Sequence, residues 1–312
     1  MMSYLEDQKR RAIALRDNYF KDPGGGIYDN APHEYVLIDQ ILNIWSGIRE
    51  DVIDYFTQNS IAFWDSVNKP SGNLLSSQIA CLNHLFFIRQ REDIATVVLQ
   101  NLDTNVVRAI RVTKNENEAG FVVFEENGSA NYLNERSRIR GGHATSLNAV
   151  MLGELKDSSL KLFVLEWKYA EYFNGSSKVN DERGGLRLDT YKPFLDDPSS
   201  PLKPCNLAGI FTDPFYHLMR HTLLMDQMVK ANEYGATDYL HIHVIPSLNT
   251  ELLRSNPAFP QLPGLTLNET WCKLLKTPGR YLSIDPKDLL EPAQYCLDTG
   301  SIISYLQMRY WN

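Results

Sequence analysis

Two residues of opposite charge stand two positions apart in an apolar run, Glu166 and Lys168 in KLFVLEWKY. An extended chain rises ~3.3 Å per residue with a side-chain period of two, so both would leave the same face, ~6–7 Å apart along the strand. That spacing predicts an opening between their heads wide enough for a water or a phosphate oxygen. Neither charge is cheap to bury alone. A carboxylate joined by carbonyl oxygens suits a hard divalent cation, and an ammonium beside it can orient an attacking water and oppose charge growing on a phosphate. The competing reading is a salt bridge at a sheet edge, which an ExK triplet alone does not exclude.

The elements that would position this pair are legible around it. Leu147, Ala149 and Met151 alternate with Asn148, Val150 and Leu152, and KDSS supplies a turn. The return strand then divides Leu162, Val164, Glu166 and Lys168 from Phe163, Leu165, Trp167 and Tyr169, so the last two aromatics are expected to pack rather than face a ligand. The segment DPFYHLMRHTLLMDQMVKANEYG predicts a helix and ATDYLHIHVIPS a buried strand; strand, crossover helix and strand together predict parallel pairing. Upstream, residues 4–19 predict a charged helix, KDPGGGIYDN a flexible connector, and His33 to about Phe63 a set of helices. A further helix should open near Ser71 or Asn73 and bury Ile79, Leu82, Leu85 and Phe86. NVVRAIRVTK and AGFVVFEEN predict strands, residues 173–204 a polar loop, and TGSIISYLQMRYW a final helix.

Composition limits what such a site can serve. With 312 residues and 43% apolar content the chain can bury a sizeable core. A formal charge of -7 argues against bulk attraction of nucleic acid, although a local basic groove remains compatible with it. Cys81, Cys205, Cys272 and Cys296 lack CxxC spacing, which weakens zinc and disulfide readings alike. The N-terminal MMSYLEDQKRR has no apolar signal core, and no stretch approaches the ~20 apolar residues of a membrane span. A cytoplasmic protein is the expectation.

The motifs ATSLNAVMLG and VLEWKYAEY carry a resemblance. They are similar to the PD-(D/E)XK nuclease superfamily, in particular bacterial restriction-endonuclease-like proteins in which a TSxDA segment precedes an apolar strand ending in IEWKYxE. GNLLSSQIACLNHLF, YLNE, PFYHLMRHTLLM, YLHIHVIPSLN and YLQMRYW extend the likeness from about residue 72 to the C-terminus. The resemblance implies an α/β fold: a restriction-endonuclease-like αβββαβ core with a mixed sheet and additional N- and C-terminal helices. It divides the chain into a helical region or cap at 1–71 and the nuclease-like domain at 72–312. It also implies Glu166 as a metal-binding acid, Lys168 as the catalytic lysine, and position 148 as the other metal ligand, with Mg²⁺ (or Mn²⁺) as cofactor. Asn148 departs from that pattern: it keeps a carbonyl ligand and loses the charge that would hold the ion.

Several residues are candidates to complete such a site. Glu154, Asp157, Glu126 and Glu171 are the acids available to stand in for the missing aspartate, although six residues of extended strand put Glu154 ~20 Å from position 148, and Gln78 is a polar member of a buried helix. Tyr216 and Arg220 lie four apart on the crossover helix, and the resemblance puts that helix beside the site, with Arg220 as a phosphate contact. Arg140 and Lys178 belong to two basic neighbourhoods, Arg136–Arg140 and Lys178–Arg187, that can rim a phosphate path. His217 with His221, and His241 with His243, share faces; without HExxH spacing they read as helix and core residues rather than a zinc pair. The expected function is metal-dependent phosphodiester hydrolysis of DNA, disabled if Asn148 cannot serve. The alternatives are a noncatalytic nucleic-acid-binding module derived from a nuclease and a protein-interaction scaffold. DNA is the expected partner, RNA is open, and a homo-oligomer or a separate recognition partner is compatible with the sequence.

Overall fold

The computed structural model describes residues 3–64, 68–114, 119–137, 144–171, 173, 175, 177–180, 182–254, 258–259 and 262–311. Its centre is a six-stranded mixed sheet. The strands are β3 (Val106–Ile110), β4 (Val123–Glu126), β5 (Leu147–Leu155), β6 (Leu160–Trp167), β7 (Ala236–Val244) and β8 (Tyr281–Ile284). They run β3-β5-β6-β7-β8, with β4 also paired to β5. A separate two-stranded hairpin, β1 (Gly26–Tyr28) and β2 (Ala31–His33), precedes them.

The predicted hairpin is β5–β6, antiparallel with Ala149 opposite Leu165 and Leu152 opposite Leu162. Its turn closes because the Asp157 carboxylate accepts from the Ser159 amide at 3.0 Å and hydroxyl at 2.6 Å. From β6 the chain crosses through α7 (Phe215–Lys230) to β7, which pairs with β6 in parallel as expected. A strand edge buried on both faces requires such a crossover, since a tight turn cannot join parallel neighbours.

Alternation sorts the core into two layers. Phe163, Leu165 and Trp167 join Ala149 and Met151 under α3 (Ser77–Leu85), α4 (Glu92–Leu102) and the chain termini. Leu162 and Val164 join Val150 and Leu152 under α7 and α9 (Leu267–Leu274). Each fully buried Leu, Val or Phe in these layers contributes ~1.5–3 kcal/mol before entropy is charged against it. Trp167 and Tyr169 are 1% and 5% exposed in the first layer, as their parity predicted.

The C-terminal helix is tied to the segment 43–83 by one polar network. Arg309 on α11 (Gly300–Arg309) donates to the Asn43 carbonyl at 2.8 Å, to the Asn43 side chain and to the Tyr305 hydroxyl at 2.5 Å. Asn43 passes the contact on to the carbonyls of Ser71 at 2.6 Å and Asn73 at 2.9 Å. Asn83 on α3 bonds the Asn43 carbonyl and Tyr310 hydroxyl, both at 3.0 Å. Buried polar groups joined this way gain specificity only because every member has a partner.

Local differences from expectation have identifiable causes. α1 (Tyr4–Leu15) continues as a wider π turn, Arg16–Phe20. The glycine-rich connector is ordered rather than a free linker: β1 lies within it and pairs with β2 just beyond its end, and Asp22 accepts from the amides of Gly24, Ile38 and Asp39. Residues 33–63 hold one α-helix, α2 (Arg49–Gln58), and a 3₁₀ turn, Gln40–Asn43, rather than a helical bundle. The helix expected from Ser71 or Asn73 starts later, because Ser76 caps it by accepting from the Ile79 amide, and α4 begins afresh at Glu92. The segment 173–204 contains α5 (Gly184–Asp196). Short helices α6 (Leu207–Ile210), α8 (Thr250–Leu253) and α10 (Pro286–Leu290) complete the order. Among the described residues no helix is long and apolar enough to cross a membrane.

Candidate functional site

Glu166 lies at the end of β6 on the α7 side, with His243 beside it in register and His241 beside Val164. Pairing continues one residue further, because the Lys168 amide donates to the Val244 carbonyl at 2.9 Å. Glu166 and Lys168 are 4% and 7% exposed, and the Lys168 ammonium donates to Glu166 Oε1 at 2.7 Å. The predicted opening between the two heads is therefore closed. The backbone spacing is that of a strand, but two long side chains in a dry environment converge because each charge lowers the other's burial cost. Burial alone would lower the Lys168 pKa; Glu166 and then Glu171 outweigh it and hold the ammonium above its usual range.

His221, two turns into α7, brings Nδ1 to 3.3 Å from Glu166 Oε2. Burial, then the Lys168 and Arg220 charges, keeps its imidazole neutral by pushing its pKa well down. His241 and His243 are neutral for the same first reason and are anchored laterally. The Thr222 hydroxyl meets His241 Nδ1 at 3.1 Å, and the Tyr281 hydroxyl meets His243 Nδ1 at 3.2 Å while donating to Asn268 at 2.9 Å. A Tyr281 proton committed to Asn268 leaves its oxygen to accept from His243 Nδ1–H, which fixes that tautomer.

Asn148 is half-buried, and its Oδ1 accepts from the Trp167 amide at 2.8 Å. The side chain thus completes the β5–β6 ladder beyond the paired Ala149 and Leu165. An amide that can both accept and donate fills this place without burying another charge.

One turn before His221, α7 borders a cavity of about 410 Å³. Among the described residues, Arg136, Lys178, Arg183, Arg187 and Arg220 line it together with the carboxylate of Glu135. Lys178 is set by its amide bond to the Phe211 carbonyl at 2.8 Å and by an ion pair with Asp213 at 3.1 Å. Arg187 donates to the Lys178 carbonyl at 2.8 Å. Arg220 donates to the Thr145 hydroxyl at 3.0 Å and reaches Glu135 at 3.3 Å, with its guanidinium 5.4 Å from the Tyr216 ring. Tyr216 thus forms part of the wall, as the four-residue spacing to Arg220 suggested. Arg140, and Arg138 with it, lie outside the described residues.

The other candidates fall on the opposite side of the sheet or into turns. Glu171 accepts from the Ser77 hydroxyl and from the Tyr169 amide at 2.6 Å, and it contributes to the field on Lys168. Gln78 Nε2 donates to Glu125 at 3.0 Å, and Glu125 also accepts from the Ser146 hydroxyl at 3.0 Å. Glu126 instead pairs with Lys114 at 3.2 Å and accepts from the amides of Asn127 and Gly128, so it serves a turn. Glu154, on the far end of β5, pairs with Arg108 at 2.6 Å. Sequence reasoning missed Glu125, Glu135 and Asp213. Glu125 had a signal in its place beside Glu126, yet its φ of 53° breaks the alternation and leaves both acids buried.

The divalent cation that the resemblance implies can be tested against these donors. Mg²⁺ or Mn²⁺ requires about six hard oxygen ligands and gains most from carboxylates. Glu166 is neutralised by Lys168 and approached by His221, and the Asn148 oxygen is turned to a backbone amide. Among the described residues no three His, Cys, Asp or Glu side chains are grouped to hold a metal. The donor set in this arrangement does not fit the ion. What it does offer is a fixed, buried ion pair beside a cavity dominated by guanidinium and ammonium groups, an arrangement suited to phosphate oxygens.

A family model described as Restriction Endonuclease associating with ARP (REase-ARP) matches residues 7–311. No curated protein and no solved structure matches the chain.

Proposed function

Because the chain belongs to the REase-ARP family, of restriction-endonuclease-like descent, we propose that it binds the phosphodiester backbone of DNA in the basic cavity between α5 and α7. The observation that carries this reading is the convergence of five cationic residues on one cavity in a protein whose formal charge is -7. Overall repulsion would oppose such contact, so a local field has to supply the attraction. The bound strand would pass the buried Glu166–Lys168 pair at the end of β6. The ARP association in the family's description supports the reading in which a separate partner supplies target recognition.

Binding of duplex DNA, single-stranded DNA and RNA to the protein and to Arg183→Glu/Arg187→Glu tests the proposal. Loss of DNA binding on charge reversal supports it; equal affinity of the two proteins for every polymer overturns it.

A second reading, hydrolysis of DNA dependent on Mg²⁺ or Mn²⁺, rests on the resemblance of the EWK strand end and requires both that the Glu166–Lys168 pair open and that a carboxylate replace Asn148. Asn148→Asp supplies a carboxylate of nearly the same shape at the position where the resemblance requires one. Metal-dependent cleavage by Asn148→Asp, abolished again by Lys168→Ala, is the result this reading requires. An uncut substrate with every form leaves backbone binding as the function.

A further inference from the structure

On the other face of the β6 end lies a cavity of about 360 Å³ that the backbone-binding site does not use. It opens between α1, β1 and the start of α3, and Ala170 and Glu171 bring the continuation of the EWK strand to its wall. Its volume falls within the ~300–1,000 Å³ typical of small-ligand sites.

Aromatic faces and hydrogen-bonding edges meet there. Tyr28, Tyr35 and Trp64 form the aromatic part, and Trp64 is 61% exposed, an unusual state for so large an apolar ring. Lys9 stands 5.7 Å from the Tyr35 ring centroid, with its ammonium also paired to Glu6 at 2.8 Å. The polar wall is held in place rather than mobile: Asn73 Oδ1 accepts from the Leu75 amide at 2.9 Å, and Ser76 Oγ accepts from the Ile79 amide at 3.4 Å. The side chains therefore keep their donor hydrogens, on Asn73 Nδ2 and the Ser76 hydroxyl, and among the described residues neither of these donors is taken, whereas the Asn73 backbone amide donates to the Ser71 hydroxyl at 3.1 Å. Glu171 supplies a fixed acceptor through its bonds to Ser77 and Tyr169.

A flat ring bearing both acceptors and amino donors on its edge is the ligand chemistry that matches these walls. We propose that this cavity takes an unpaired nucleobase from the DNA strand held at the basic cavity, stacked on Trp64 with its edge toward Asn73, Ser76 and Glu171. This rests on the backbone-binding reading, because the strand brings the base. Base stacking on aromatic side chains tolerates sequence and needs an unstacked base, so the preferred substrate is single-stranded or locally opened DNA.

The test compares a fluorescently labelled single-stranded oligodeoxynucleotide of mixed sequence with an abasic strand of the same length. Trp64→Ala should weaken binding of the base-bearing strand by ~5- to 100-fold and leave the abasic strand unchanged, while Trp64→Phe keeps most of the affinity. Arg183→Glu/Arg187→Glu should weaken both strands. Trp64 is exposed, so its substitution leaves the core packing intact, and an unchanged melting temperature verifies this. If Trp64→Ala binds both strands as the unsubstituted protein does, the base pocket is overturned while backbone binding stands. If the unsubstituted protein binds neither strand, both proposals fall.

Discussion

Removing the Lys168 ammonium leaves the buried Glu166 carboxylate without its cation. The two heads are 2.7 Å apart, with side chains 9% and 5% exposed, so water cannot replace the lost partner without local opening. Breaking a buried pair from one side costs ~3–5 kcal/mol, and Lys168→Met keeps the stem's packing while doing so. A chain of 312 residues has an unfolding entropy of ~0.65 kcal/mol/K, so the melting temperature should fall by ~5–8 °C. Glu166→Gln/Lys168→Met removes both charges and should recover at least half of that loss. The sign with pH follows from the raised Lys168 pKa: the contribution is fully present at neutral pH and lost as pH rises past the ordinary lysine range, ~10.4. The gap between wild type and Lys168→Met should therefore narrow in strong alkali. Calorimetry or denaturant melts of the four members of the double-mutant cycle measure the coupling. A single-variant loss below ~1 kcal/mol, or strict additivity, would refute the buried-pair argument.

Two further outcomes follow from buried groups elsewhere. Arg309→Met strips donors from Asn43 and Tyr305, and should cost ~3–5 kcal/mol and speed proteolysis of the C-terminal helix, measured by denaturant melts and limited digestion. His84, His221, His241 and His243 are buried and neutral, with the His84 pKa lowered to about 3 by burial. Their stabilising neutrality is complete above the unfolded value of ~6.5 and is lost as pH falls, at ~1.4 kcal/mol per pH unit per histidine; thermal melts from pH 7 to pH 5 should drop steeply, and a flat profile contradicts the assignment.

The hairpin and crossover were legible because their signals are local. Alternation from Leu160 to Trp167 fixes which residues face α7, and a helix between two apolar runs fixes parallel pairing. The position of Glu166 and Lys168 on one face followed from the same period. Their convergence did not, because the burial that draws the two charges together is completed by α7, which is distant in sequence and brings His221 against Glu166. β8 and α9 were hidden for a related reason: Tyr281–Ile284 is four residues long, and its strand character comes from pairing with β7. α5 lay within a stretch rich in Ser, Asp and Gly whose composition suggested a loop, and it gains order from Tyr191 packing in the second core layer. Glu135 and Asp213 were invisible as partners, since Arg220 and Lys178 reach them only through tertiary contact. The arginines and the lysine were each identifiable in sequence; their common cavity was not.

The central claim is that phosphate groups occupy the cavity lined by Lys178, Arg183, Arg187 and Arg220. Its most direct test is the salt dependence of DNA affinity for the protein and for Arg183→Ala/Arg187→Ala. Each lost phosphate contact should flatten the slope of log affinity against log salt by ~0.9 on duplex DNA, so the double variant should lie ~1.8 below the parent. Parallel lines for the two proteins would contradict the account.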